Sequence, residues 1–397
     1  MLNRLAQGTC LAALLAATLP AGAAEPLDAA NRLKALLAKQ GYTMSWQSID
    51  GDSSEATLKG VVTTMPGGDG ASQAPIAVGN LIMSEIEDGD NGAITVGSFQ
   101  LPAYSVETDG TAISVTGVEM LNLVLPAEGV TNPLESSGLF DSFTIEGVTA
   151  TRGGKEVFSM EGFNYDLVLS DDRNALSFTT AAESFTADLT GTADPQSLAM
   201  LTALGLTKPT GSFEGSGDFS MTTGVANLDQ WDFTIDKAGT LGMTFSIGGY
   251  TPEVMKAFQD IQNSMANATE EQKQAQGMAV LGLMQQFTLI GASIRYDDDS
   301  LAPRALDLAG GMQNMKRQDM AGMARMMIPA MAAQYVSPEF AQSVAEAVAK
   351  FVEDPKSLTI EAAPAQPVPL AMVAAGFAAA PKAVPEQLGI TVTANED

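Results

Sequence analysis

The sequence contains no histidine and a single cysteine, Cys10, among its 397 residues. Without histidine the chain has no Ser-His or Cys-His nucleophile pair, no His-ligated metal and no proximal histidine for haem. Cys10 lies in a segment that we expect to be removed, so the mature chain would carry neither thiol chemistry nor disulfides. These absences exclude many of the common catalytic and metal-binding chemistries.

Basic residues are also scarce, since 20 Lys and Arg stand against 47 Asp and Glu, which gives a formal net charge of -27. Nucleic acids and anionic membrane surfaces both attract positive protein faces, so neither is expected as a main partner. Charged residues make up 17% of the chain and hydrophobic residues 45%. This hydrophobic share is typical of a folded globular protein, which argues against wholesale disorder.

The first 24 residues have the features of a cleavable secretory signal peptide. Arg4 gives a positive start, Leu11 to Leu19 is an apolar run too short to span a bilayer, and Ala21-Gly22-Ala23 is a small-residue cleavage site. The predicted signal peptide ends at residue 23 or 24. No later apolar stretch reaches the length of a transmembrane helix. The sequence therefore predicts a periplasmic protein with no transmembrane span in the mature chain.

Residues 25–250 are predicted to be β-rich. Short segments in which apolar and polar residues alternate are separated by turns rich in Gly, Asp and Asn. Asp88–Gly92 predicts a hairpin, while Leu176–Thr180 and Phe185–Thr190 are predicted as two separate strands. Strands spaced in this way indicate a large antiparallel sheet, a sandwich or an open barrel.

Two helices are predicted within this β-rich region. The first carries Leu27, Leu33 and Leu36 on one apolar face. The second begins with Asp194 as its N-cap and ends at Gly205, a residue type that favours the end of a helix.

The composition changes at residue 251, and residues 251–397 are predicted to be rich in helices, with a capping box formed by Thr269 and Gln272. Strands return at Leu358–Glu361 and Ile390–Thr393. Because the chain returns to strands at its end, we expect the helices to pack on the same sheet. The predicted fold class is α+β, with a large, bent antiparallel sheet, barrel-like or sandwich-like, and C-terminal helices packed on it.

A methionine-rich segment is the most unusual feature, because Met320, Met323, Met327 and Met331 have the spacing of one helical face. Three interpretations stay open: a stripe in the hydrophobic core, an adaptable lining of an apolar groove, or soft thioether ligands for Cu(I). The core stripe is the favoured interpretation. Copper is disfavoured because no His or Cys joins the set and because the methionines have helical spacing instead of forming close pairs on a loop. Pro329 is expected to kink this helix or to end it at the preceding turn.

Three acidic clusters, which begin at Asp50, Asp88 and Asp297, resemble the start of a calcium loop but lack Glu at the twelfth position. Turn chemistry explains them, so we expect no metal site and no cofactor. No nucleophile motif is complete, and we expect the protein not to be an enzyme. A hydrolase that uses only a pair of carboxylates stays open as a third hypothesis, because 47 acids bring some pair close together in any fold.

Two segments near the N-terminus, Trp46–Leu58 (WQSIDGDSSEATL) and Val96–Pro102 (VGSFQLP), resemble parts of alphaproteobacterial exported proteins of unknown function. Asp354–Ile360 (DPKSLTI), followed by Pro364–Pro369, is similar to segments near the ends of AsmA-like envelope proteins. That family is associated with lipid handling between the membranes, so the resemblance implies a role in the envelope. AsmA-like chains normally begin with a membrane anchor, where this chain has a predicted cleavable signal. The resemblance implies no functional residues.

The leading functional hypothesis is a non-catalytic periplasmic binding protein for a hydrophobic envelope ligand, such as a lipid or an acyl chain. It depends on predicted export, on the missing catalytic groups, and on a curved-sheet pattern with a methionine-rich helix. The alternative is a structural or assembly factor of the cell envelope that acts through protein–protein contacts. That factor would dock through an exposed apolar patch or a free sheet edge.

Overall fold

The computed structural model describes residues 23–64, 75–108, 110–130, 132, 134–191, 194–265, 279–280 and 282–396. Almost all of the predicted signal peptide lies outside these residues, and so does the predicted capping box of Thr269 and Gln272.

The strands that the structure describes form a large antiparallel sheet. In chain order they are β1 (Thr43–Ser45), β2 (Ser48–Gly51), β3 (Glu55–Thr64), β4 (Ile76–Asp88), β5 (Ile94–Thr108), β6 (Thr111–Leu125), β7 (Ser142–Arg152), β8 (Lys155–Leu169), β9 (Ala175–Ala187), β10 (Thr210–Ser220), β11 (Val225–Ile235), β12 (Gly239–Gly248), β13 (Thr288–Asp298), β14 (Ser357–Ala362), β15 (Val368–Pro369) and β16 (Ile390–Ala394). From β3 to β14 each strand pairs with the next, β1 and β2 pair with β3, β15 with β13 and β16 with β14. This pairing confirms the predicted hairpin at Asp88–Gly92 and the predicted α+β class with a large antiparallel sheet.

Most of the described helices follow β12. They are α1 (Pro26–Lys39), α2 (Pro195–Leu204), α3 (Pro252–Met265), α4 (Leu301–Gln313), α5 (Arg317–Ala332), α6 (Pro338–Glu353), α7 (Leu370–Ala379) and α8 (Val384–Gln387). Among the described residues, no helix combines the length and apolarity that crossing a membrane requires. α6 packs on β14 and β16, as predicted for the C-terminal helices.

The chain divides into two compact units. The first unit contains Met1–Pro102 and Glu119–Phe140, and the second contains Ala103–Val118 and Asp141–Asp397. The division therefore lies elsewhere than the composition change at residue 251. The second unit takes strands from the predicted β-rich region together with the whole predicted helix-rich region.

The core of the first unit forms where α1 packs on the strands β1, β2 and β4. Leu33 and Leu36 of α1 are buried together with Leu58 of β3 and Met83 of β4. Leu27, which the sequence analysis placed on the same helical face, is 54% exposed. It lies six residues before Leu33, which turns its side chain about 120° away from that face at about 100° per residue.

α2 of the second unit has the two ends that the sequence predicts. The Asp194 side chain accepts hydrogen bonds from the backbone N–H groups of Gln196 and Ser197 at 3.0 and 3.1 Å. Gly205 adopts the left-handed conformation after the last turn. At this end the Arg304 guanidinium donates to the carbonyl of Leu204. Because the last carbonyls of a helix lack intrahelical partners, Arg304 of α4 caps α2.

α5 packs on α6, and small buried alanines lie on both helices, which lets their backbones approach closely. Arg325 of α5 donates to Glu346 at 3.0 Å and to Glu353 at 2.8 Å, both on α6. The hydrogen bond from Arg325 lowers the pKa of Glu353 below its usual value. The contact between α5 and α6 thus combines the packing of small residues with hydrogen bonds from one arginine to two glutamates.

One local prediction needs correction. β9 is one strand, where two strands were predicted at Leu176–Thr180 and Phe185–Thr190. Ala182, in the expected gap, pairs with Phe163 of β8 and with Phe213 of β10, so both hydrogen-bonded ladders continue through it.

Pro329 lies inside α5, three residues before the helix ends at Ala332. Of the two predicted effects of Pro329, an end of the helix at the preceding turn is wrong, and a kink stays a prediction. Proline has no N–H group to donate, so the helix continues without the backbone hydrogen bond that this position would otherwise make.

Replacing Leu58 by alanine tests the core of the first unit. Leu58 is fully buried, so Leu58→Ala should lower the free energy of unfolding by about 2–5 kcal/mol. The matched substitution Leu27→Ala, at a 54% exposed position, should change it by less than about 0.5 kcal/mol. Trp46 packs against this core, so its fluorescence during urea unfolding, in a Trp231→Phe background, reports the first unit. Equal effects of the two alanines would contradict this core assignment.

Candidate ligand-binding face

The strands β10 to β14 of the second unit separate apolar from polar side chains. Side chains alternate along a strand, and residues directly opposite each other in antiparallel pairs share one face. Leu241 of β12 pairs with Phe233 of β11 and with Tyr296 of β13, and Met243 pairs with Ile294. We call the face that they share the apolar face. Its members on these strands include Phe213, Trp231, Phe233, Leu241, Met243, Phe245, Ala292, Ile294, Tyr296, Leu358 and Ile360.

Aromatic rings pack against each other along the apolar face. The rings of Phe213 and Trp231 meet edge to face at a centroid distance of 4.6 Å, and those of Phe185 and Phe233 stack at 5.0 Å. Such pairs stabilise a sheet beyond the area they bury. They also give the apolar face a surface of large, conformationally restricted side chains.

The central part of the apolar face is exposed to solvent. Ile294 and Ile360, which pair with each other across β13 and β14, are 49% and 46% exposed. Large apolar side chains are usually buried, and a contiguous exposed set marks an interaction surface. We call this set the exposed band, and it consists of Trp231, Phe233, Leu241, Phe245, Ile294 and Ile360.

Helix α6 covers the apolar face on one side of the exposed band. Phe351 of α6 packs edge to face on Tyr296 at a centroid distance of 6.2 Å. Leu358 pairs with both Tyr296 and Ala394, and Ala394 at the end of β16 is buried. The helix thus covers Tyr296, Leu358 and Ala394, which lie side by side across β13, β14 and β16.

The segment from β15 to α8 covers the apolar face on the other side. Val368, Val384 and Leu388 form a buried cluster that packs against Leu289 and Ile390. Ile390 and Ala394 are four residues apart on β16, so about 13 Å of strand separates the two covered ends. The exposed band begins between them and continues across β13, β12 and β11.

The polar face of the same strands is satisfied by hydrogen bonds between neighbouring side chains. The hydroxyls of Thr244 and Ser293 are 3.1 Å apart, and Ser246 donates to the Asn227 carbonyl oxygen at 2.7 Å. Arg295 donates to both carboxylate oxygens of Asp297 at 2.8–3.0 Å. This face is therefore polar, and some of its side chains bond to each other.

Two depressions of the second unit mix polar and apolar residues in their lining. One, of about 580 Å³, is lined by Thr244, Ser246 and Ser293 and also by apolar residues such as Leu228 and Ile290. The other, of about 490 Å³, is lined by Glu146 and Glu183 among others. These two glutamate side chains lie over glycines of the neighbouring strands, where a Cβ atom would clash with them. Cross-strand packing thus accounts for their positions, and the carboxylate-only hydrolase stays a hypothesis.

The four methionines predicted as a candidate site do not share one environment. The sulfur of Met320 lies 3.5 Å from the point where a Cβ on Gly310 of α4 would lie, so this side chain packs between α4 and α5. Met323, Met327 and Met331 are 43%, 48% and 67% exposed. A core position is therefore wrong for these three residues, because the packed side of α5 is the one that carries Ala321 and Arg325.

The acidic clusters are engaged in local hydrogen bonds and ion pairs. Asp298 accepts hydrogen bonds from Ser300 and Ala302 at the start of α4, and Asp299 accepts one from Lys237. Asp50 forms an ion pair with Lys59. Within the described part of the chain, no group of three or more acidic, cysteine or histidine residues is placed to hold a metal ion.

Tyr296 connects the apolar face to the turn that begins α4. Its hydroxyl lies 2.9 Å from both the Ala238 carbonyl oxygen and a carboxylate oxygen of Asp298, so its one proton is shared between these two acceptors. Burial, with the hydrogen bond to Asp298, raises the pKa of Tyr296 well above its usual value. The neutral hydroxyl is thus the form that the fold stabilises.

A family model described as "Uncharacterized protein" matches residues 232–395. The matched segment contains five of the six residues of the exposed band. No curated protein matches the chain. The resemblance to AsmA-like proteins therefore stays a prediction.

The alternation of apolar and polar residues that predicts the strands of residues 25–250 also indicates the apolar face. Along β12, Leu241, Met243, Phe245 and Ile247 alternate with Gly242, Thr244 and Ser246. This pattern predicts a strand with one apolar face. The pattern does not show how much of that face the helices leave exposed, since this depends on where they dock.

Replacing Tyr296 by phenylalanine tests its environment through pH. Since the folded-state pKa lies above the unfolded one, near 10, the stabilisation is complete below that pH and is lost as pH rises through the folded pKa. Tyr296→Phe should be less stable than the wild type at about pH 8, and the difference should shrink at about pH 11. Urea unfolding at both pH values measures it, with Tyr335→Phe, at an exposed position, as the control. A difference that does not vary with pH would refute the assigned environment.

Proposed function

We propose that the protein is a non-catalytic binding protein for a hydrophobic ligand of the cell envelope, such as a lipid or an acyl chain. The exposed band is the observation that carries this proposal. Six large apolar side chains share one face of neighbouring strands, and each is between 37% and 49% exposed. A ligand that covers them gains the free energy of removing apolar surface from water, about 25 cal/mol per Å².

The chemistry of the exposed band selects an apolar chain over a charged group. Its members are aliphatic or aromatic, and the positive side chain on β13, Arg295, lies on the opposite face, where Asp297 neutralises it. The net charge of -27 also disfavours an anionic group as the feature that is recognised. We therefore expect the apolar tail of the ligand to contact the band.

The location in this proposal depends on the predicted signal peptide. An N-terminal segment with Arg4, a short apolar run and a small-residue cleavage site directs a chain out of the cytoplasm. In the periplasm, lipids and the acyl chains of lipoproteins are the abundant hydrophobic molecules, which is why an envelope ligand is proposed.

The alternative function is a structural or assembly factor of the envelope. The exposed band would then be covered by a partner protein, and the end strand β16 would offer a sheet edge. A binding experiment distinguishes the two functions, since the alternative predicts no stoichiometric binding of a free acyl chain.

Titration with a fluorescent fatty acid tests the proposed function. Substitutions on the two faces of the same strands show which face binds the probe. The double variant Ile294→Asn/Ile360→Asn places two amides in the exposed band. It should weaken binding of the probe by about tenfold or more, since each lost apolar contact costs on the order of 1 kcal/mol. The control Ser293→Asn/Thr359→Asn changes the adjacent residues, which face the other way, and should bind like the wild type.

Circular dichroism of both variants verifies the fold. Absence of saturable binding by the wild type at micromolar protein would overturn the ligand-binding function and leave the assembly factor. Equal affinity of the two double variants would show that a bound ligand lies elsewhere.

A further inference from the structure

Helices α4 and α5 expose methionines to an unusual degree. Met312, Met326 and Met331 are 81%, 77% and 67% exposed, and Met327 and Met323 are 48% and 43% exposed. We call these five residues the methionine surface. A thioether is flexible and apolar, so it is normally used to fill irregular gaps in a core. Here the sulfur atoms are accessible to small molecules in water.

Two methionines of the first unit have the opposite environment. Met44 is 3% exposed and Met83 is fully buried in its core. Outside α4 and α5, Met200 of α2 and Met372 of α7 are 56% and 55% exposed. Met320, on the same helix as the methionine surface, packs on Gly310 instead. The buried methionines can therefore serve as controls within the same chain for a reaction that requires an accessible sulfur atom.

The methionine surface is not what holds α5 in place. The helix is fixed by the hydrogen bonds of Arg325 to Glu346 and Glu353 and by Ala321, which is fully buried. A chemical change on the exposed methionines thus leaves these contacts intact. Modification would alter the surface of α5 without removing the helix from α6.

We propose that the methionine surface is a modification site for peroxides, at which oxidation converts an apolar helix surface into a polar one. The thioether sulfur attacks a peroxide oxygen, an S–O bond forms and the O–O bond breaks. Sulfur loses two electrons. With hydrogen peroxide, the departing hydroxide takes the proton of the transferred hydroxyl and leaves as water. The one cysteine of the chain, Cys10, lies in the predicted signal peptide, so methionine is the sulfur that the mature chain offers to such an oxidant.

Limited oxidation of the full chain by hydrogen peroxide, followed by peptide mass spectrometry, tests the proposal. Susceptibility follows exposure, so sulfoxide should form at Met312, Met326 and Met331 about tenfold faster than at Met44 and Met83. Met320 should be slower than Met323, three residues along the same helix. The thermal midpoint should stay unchanged, and methionine sulfoxide reductase should restore the original mass.

A variant with leucine at all five positions of the methionine surface is the matched control, because leucine keeps the surface apolar and cannot be oxidised. Retention on a hydrophobic-interaction column should fall after peroxide treatment of the wild type and fall less for the variant, which keeps the exposed Met200 and Met372. Similar oxidation rates at exposed and buried methionines would overturn the proposal. So would loss of the fold at the first sulfoxides, since oxidation would then be damage to a structural position. Neither result depends on whether the exposed band binds a ligand.

Discussion

The alternation of side chains along β10 to β14 is the constraint on which the second unit depends. Because neighbours in an antiparallel ladder share a face, Leu241 and Phe245 of β12 align with apolar partners on both sides, and Met243 aligns with Ile294 of β13. A slip of one residue would exchange this set for Gly242, Thr244 and Ser246. The pairing is irregular between Leu228 and Asp232 and again after Ser246. The first irregularity lies opposite Gly242 to Phe245 of β12, whereas the pairing of β12 with β13 is continuous from Gly239 to Ser246. The apolar face is therefore uninterrupted across β12 and β13.

The helices cover this face at its ends and leave its centre exposed. Phe351 of α6 lies on Tyr296, while the cluster around Val384 lies on Leu289 and Ile390. Exposed apolar surface is unfavourable in water at about 25 cal/mol per Å². Side chains of the polar face form hydrogen bonds with one another and can also bond to water, whereas the exposed band can do neither. The exposed band is therefore the part of these strands that a bound apolar partner would stabilise. This difference between the two faces is the physical basis of the proposed ligand.

The sequence predicted much of the fold because its signals are local. The turn at Asp88–Gly92, the N-cap Asp194 and the end of α2 at Gly205 each depend on a few adjacent residues, and the structure confirms them. Where tertiary pairing decides, prediction was weaker: β9 continues through Ala182 because both neighbouring strands pair with it. The candidate site depended on a helical period that cannot distinguish a packed methionine such as Met320 from an exposed one such as Met331. Predicting the exposed band would have required the positions at which α6 and α8 dock on the sheet, and no local sequence pattern determines them.

Native mass spectrometry of the protein, purified without detergent from the cells that produce it, tests most directly whether the exposed band holds an apolar ligand. The account predicts a discrete added mass in the range of a lipid or a fatty acid. It also predicts that this mass is lost in Ile294→Asn/Ile360→Asn and retained in Ser293→Asn/Thr359→Asn. A wild-type protein that carries only its own mass, and that takes up no added fatty acid, would contradict the account.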